Sequence, residues 1–82
     1  MKRQDVRAEI HCLIAEIMDN QFIADDNDLL RDDLLMDDLD ILELIIELEK
    51  KYKISITDEV FDIETFGGFI DYVHNIIKDG EI

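Results

Sequence analysis

Carboxylates crowd the start of MDDLDILELIIELEKKY, Met36 to Tyr52: Asp37, Asp38 and Asp40 precede an apolar helical pattern through which Glu43 and Glu47 continue. Acids grouped in this way can act in acid–base chemistry, bind a divalent cation or cap a helix, and each use needs different company. Catalysis requires a nucleophile with a base and an orienting group. Neither that constellation, nor a Gly-rich phosphate loop, nor a basic stripe with aromatics occurs in the chain, so no catalytic residue is predicted and the protein is not expected to be an enzyme. A calcium loop counted from Asp26 has Leu30 and Arg31 where an oxygen donor and a glycine belong. His11, Cys12 and His74 lack recognised zinc-ligand spacing, and His74 is expected on the wet side of the last helix. No metal site is predicted. What remains for Asp38 is the beginning of a helix, where a carboxylate accepts from free N–H groups and complements the helix dipole, worth roughly 1 kcal/mol.

The rest of the chain sets the class of molecule. Its 82 residues carry 22 acidic against 8 basic side chains, a formal charge of -14, with 48% hydrophobic residues. That length allows one modest core rather than a deep catalytic cleft, and the apolar content is too high for a disordered acidic tail. Nucleic acid and anionic membranes are poor partners for such a charge; basic protein surfaces are good ones. The single Cys12 permits no internal disulfide, and no apolar run is long enough for a secretory core or a membrane span, so a cytoplasmic location is expected. Without proline, and with glycine only at 67, 68 and 80, nothing divides the chain: residues 1–82 read as one domain and a monomer.

Periodicity predicts an all-α fold with three main helices, over about 3–18, 38–52 and 65–78, a short turn of helix near 59–63, and a long loop over 19–36. Val6, Ile10, Leu13, Ile14 and Ile17 form the buried stripe of the first helix. Phe22, Ile23, Leu29, Leu30, Leu34 and Leu35 should pin the loop to the core, because a long loop in a small domain needs anchors. Ile41, Leu44, Ile45, Leu48 and Tyr52 form the inner stripe of the second helix, while Asp40, Glu43 and Glu47 line up as an acidic ridge. Leu39, Leu42 and Ile46 make a second apolar row that burial of one face does not require. A charge run is ordinarily a solvated face, but an apolar strip rimmed by acids suits a basic partner groove. KISIT, Lys53 to Thr57, alternates like a strand without a partner strand and is read as an extended connection whose Ile54 and Ile56 plug the core. Thr65 caps a last helix carrying Phe66, Phe69, Ile70, Val73, Ile76 and Ile77, with Gly80 beyond its end.

The order of these elements, and the residues Asp37, Leu39, Asp40, Glu43, Leu44, Leu48, Glu49, Tyr52, Ile56, Asp58 and Glu59, resemble the acyl carrier protein family, whose second helix opens Asp-Ser-Leu-Asp. Ile63 to Val73 further resembles the approach to that family's last helix, so the similarity runs from before Asp33 to Val73, while the first helix is compatible without carrying a motif. The resemblance implies a small four-helix bundle. It also implies that Asp37, Leu39, Asp40, Leu42, Glu43, Ile46 and Glu47 are gripped by carrier-dependent enzymes: phosphopantetheinyl transferase and acyl-activating or condensing enzymes of fatty acid, polyketide or related acyl metabolism.

The departure falls on the residue that bears the family's chemistry. The family's serine carries a phosphopantetheine arm, and its place is taken here by Asp38. Attachment needs a hydroxyl that attacks the pyrophosphate of coenzyme A; a carboxylate would give an unstable mixed anhydride at best. As written, the chain is expected to hold no cofactor, with phosphopantetheine expected only if residue 38 is natively Ser. Two origins fit: a natural homologue without its arm, or a carrier whose serine was exchanged to keep it unmodified. The alternative is an acidic interaction or regulatory subunit with no carrier role. The glycine common two residues before the motif's first Asp is replaced by Leu35, which predicts a more tightly packed turn into the second helix.

Overall fold

The protein is described here by a computed structural model covering residues 2–80. Three α-helices, α1 (Arg3–Met18), α2 (Asp38–Tyr52) and α3 (Phe66–Gly80), are joined by a long loop and by a connection containing a 3-10 turn, Asp58–Asp62. The fold is all-α, as the periodicity predicts, and the short turn near 59–63 is 3-10 rather than α.

Each helix ends for a local reason. α1 stops where Asp19 takes a left-handed conformation, φ 51°, and the N–H groups of Asp19 and Asn20 turn back to Glu16 and Ala15 carbonyls. α2 begins at a capping box: Asp37 accepts from the Asp40 N–H at 2.9 Å, and Asp40 accepts from the Asp37 N–H at 3.2 Å. Two acids share this end because both face N–H donors at the positive pole of the helix. At α3 the Thr65 hydroxyl accepts from the Gly68 N–H at 3.0 Å. α3 continues through Gly80, which therefore lies inside the helix and not beyond it.

α1 packs against both α2 and α3. Val6, Ile10 and Ile14 meet Ile41, Leu44, Ile45 and Leu48 of α2, Val60 of the turn, and Phe66, Phe69, Ile70 and Val73 of α3 in one core cluster. Leu13, Ile17, Tyr52, Ile54 and Ile56 pack around it half-buried. His74 is half-buried rather than fully on the wet face.

The loop is held by its backbone as well as by Ala24, Leu30 and Met36, which are buried in the core. The Leu30 N–H donates to the Glu64 carbonyl, and Asp28 and Asp26 carbonyls accept from the Phe66 and Gly67 N–H groups, each at 2.9 Å. The first free N–H groups of α3 are thus satisfied by the loop and by Thr65. Gly67 permits this approach: a Cβ there would stand 2.7 Å from the Asp26 Cβ. Arg3 and Arg7 of α1 clasp the same aspartate, Arg3 also reaching Asp71 of α3 and Arg7 the Ala24 carbonyl.

Of the six predicted apolar anchors, Leu30 is buried and Phe22, Leu29 and Leu34 are half-buried, but Ile23 and Leu35 are 95% and 73% exposed. Leu35 sits at φ 59°. The turn into α2 is therefore strained and open at Leu35 instead of tightly packed.

Candidate functional site

Asp38 is the first residue of α2, and its side chain is 78% exposed. It is not free. Arg31 reaches across from the loop to pair with it, Nη1 to Oδ1 at 2.5 Å, while the other guanidinium nitrogen approaches the Phe61 carbonyl at 3.5 Å. One loop residue thereby ties the start of α2 to the 3-10 turn. Beside the pair, Leu39, Leu42 and the ring of Phe61 line an open apolar depression whose edge is Asp38 itself.

The other residues singled out in the sequence divide into two groups. Asp37 and Asp40 are engaged with each other's backbone in the cap. The N–H of Asp40, working against partial desolvation, holds the Asp37 carboxyl below its ordinary value, so this end of α2 stays anionic at neutral pH. Glu43, Ile46 and Glu47 turn the other way, forming a shallow groove with Leu13, Glu16 and Ile17 of α1. Lys50 comes no closer to Glu47 than 3.9 Å. The apolar row thus opens toward the 3-10 turn at Leu39 and Leu42 and toward α1 at Ile46, with Leu42 and Ile46 each a little over two-fifths exposed.

Sequence reasoning missed Arg31, Phe61 and the α1 wall of the groove. Arg31 left one signal, as the sole basic residue among the six aspartates of segment 19–36. The α1 contribution left none, since helical spacing does not say which neighbouring helix an exposed row faces.

The loop acids do structural work. Asp28 accepts from the Asp25 N–H at 2.8 Å and Asp33 from the Leu29 N–H at 2.7 Å, the local turns that short polar side chains favour. Among the described residues no group of His, Cys, Asp and Glu could hold a metal ion. His11 stacks on Phe22 at 4.3 Å and meets Phe66 edge-on, a packing position. Among the described residues no helix is long and apolar enough to cross a membrane.

The site therefore consists of an acid-capped helix start with Asp38 exposed at its first position, an apolar depression beside it and a glutamate-lined groove behind it. A family model described as a phosphopantetheine attachment site matches residues 8–73, spanning this helix start and parts of α1 and α3. Covering most of the chain, that match makes the protein a member of the phosphopantetheine attachment site family, with an acyl carrier protein-type domain.

Proposed function

We propose that the chain is an acyl-carrier-type docking module of acyl metabolism whose residue 38 stands where the family attaches its arm and which, with aspartate there, takes none. The observation that carries this reading is the exposed carboxylate at the first position of α2. The hydroxyl inventory points the same way. Besides tyrosine, the chain's hydroxyls are those of Ser55, Thr57 and Thr65. Thr57 bonds Glu59 and Tyr72, Thr65 caps α3, and Ser55 lies in the connection after α2. None belongs to the start of α2, so the residues present do not fit covalent attachment of phosphopantetheine.

Carrier domains are normally non-catalytic; what this one offers is a surface. Leu39, Leu42 and Ile46 supply the apolar contact, and Asp38, Glu43 and Glu47 supply charge for the basic groove of a carrier-dependent enzyme in the cytoplasm, a phosphopantetheinyl transferase or an acyl-activating or condensing enzyme. A second reading, an interaction subunit with no carrier role, is favoured by the Arg31 pair, which gives Asp38 a use within the fold.

Intact mass spectrometry after incubation with a phosphopantetheinyl transferase and coenzyme A tests the proposal. The parent chain should gain no mass, and Asp38→Ser should gain one phosphopantetheine. A modified parent would overturn the assignment of residue 38. An unmodified but folded Asp38→Ser variant would transfer the weight to the second reading. Glu43→Lys with Glu47→Lys should slow association of Asp38→Ser with the transferase and flatten its salt dependence, since rim charges act on the encounter rate.

A further inference from the structure

Ile23 and Leu35 are the two most exposed large apolar side chains among the described residues, and they flank the same recess. Its walls are Ile14 and Met18 from α1 and Phe22 and Leu34 from the loop, and it encloses about 220 Å³. Asn20, Asp28 and Asp33 lie on its rim. None of these residues belongs to the α2 surface described above.

Two observations set these residues apart. Leu35 is held at φ 59°, a left-handed conformation that a branched apolar residue rarely adopts, and, unlike Asp19 and Lys53 with the same sign of φ, it does not end a helix. Ile23, at 95% exposure, stands adjacent to a Phe22 that is stacked on His11, so the loop is anchored at one residue and projects the next.

We propose that this recess is a second docking site, taking a partner segment that presents one bulky apolar side chain flanked by lysine or arginine. The occupant follows from size and charge. At about 220 Å³ the space falls below the roughly 300–1,000 Å³ of small-molecule sites and suits one or two side chains. The flanking segment 19–36 bears six aspartates against Arg31, which is already paired with Asp38. A second copy of the chain, itself at -14, and an anionic lipid surface are both repelled; a cationic segment is drawn in.

The probe is a short synthetic helix-forming peptide of lysines and leucines, set against an isocharged peptide in which every leucine is serine. Fluorescence anisotropy at physiological ionic strength gives affinity, and methyl resonances of the isoleucines and leucines report the site. The leucine peptide should bind more tightly and shift Ile23 and Leu35. Ile23→Ser and Leu35→Ser should each weaken it about tenfold, while Gln4→Ala, exposed on α1 and outside both surfaces, stays within about twofold. Leu35→Gly separates fold from recognition, because it should raise the melting temperature by relieving the left-handed residue and still lose the affinity. Equal binding of the two peptides would reduce the contact to bulk charge and overturn the proposal. So would a loss confined to Leu42→Ala, which would assign the peptide to α2, or Ile23-dependent binding to phosphatidylcholine vesicles, which would assign the recess to lipid.

Discussion

At the residue scale, two positions hold their side chains for reasons that one substitution each can expose. Gly67 lies where loop and helix meet, with Asp26 too close for any Cβ. Gly67→Ala should therefore destabilise the protein by about 1–3 kcal/mol in urea unfolding, although alanine is the better helix former, because overpacking against the Asp26 Cβ and carbonyl outweighs propensity. Tyr52 presents the opposite case. Its hydroxyl is buried without a hydrogen-bond partner among the described residues, and burial, with Glu9 nearby, pushes the phenol up. Tyr52→Phe should leave stability unchanged or raise it by up to about 1 kcal/mol, since it deletes an unsatisfied group and keeps the ring. A loss of stability in the same unfolding assay would show that the hydroxyl is bonded in solution.

At the element scale, α2 serves two surfaces with alternating residues. Leu44 is fully buried, so Leu44→Ala should cost about 2–5 kcal/mol, enough to unfold much of so small a domain. Leu42 and Ile46 lie on the outer row, and Leu42→Ala or Ile46→Ala should cost no more than about 1 kcal/mol. Circular dichroism across a urea series distinguishes the two classes. Equal losses would mean that the outer row belongs to the core and is not a surface for partners.

At the scale of the whole molecule, charge dominates. With -14 on 82 residues, repulsion opposes compaction, and screening relieves it. Raising sodium chloride from low to near-molar concentration should stabilise the protein by roughly 1 kcal/mol, about 4–8 °C in melting temperature for a domain of this size. A flat or falling curve would show that another term limits the fold. Acid acts in two stages. Lowering the pH toward the isoelectric point reduces repulsion and should stabilise. Below that, the Asp26 clasp opens. Partial desolvation pushes its carboxyl up, but hydrogen bonds from Arg3 and Arg7 prevail and hold it below its ordinary value of 3.8. A group with a lowered folded pKa contributes stability at neutral pH that is lost as pH falls below about 4 and through the folded value. Asp26→Asn should thus be less stable than the parent at pH 7, with the gap closing under acid in paired thermal melts.

The sequence by itself determined the helices and their inner faces. Val6, Ile10 and Ile14, and Ile41, Leu44, Ile45 and Leu48, recur at the helical period, and burial follows period when one face must leave water. It also marked the start of α2 as the place of interest, because cap residues act through neighbours a few positions away. Only the tertiary structure decided the loop. Its hold on α3 runs through backbone groups of residues 26, 28 and 30, which every residue type carries and no pattern announces, so Ile23 and Leu35 could be taken for anchors when they project outward. Only the tertiary structure, too, brought Arg31 to Asp38 and set Ile46 beside Leu13 and Ile17. The Arg31 pair depends on the course of an irregular loop and the Ile46 contact on how two helices pack, and no helical period carries either.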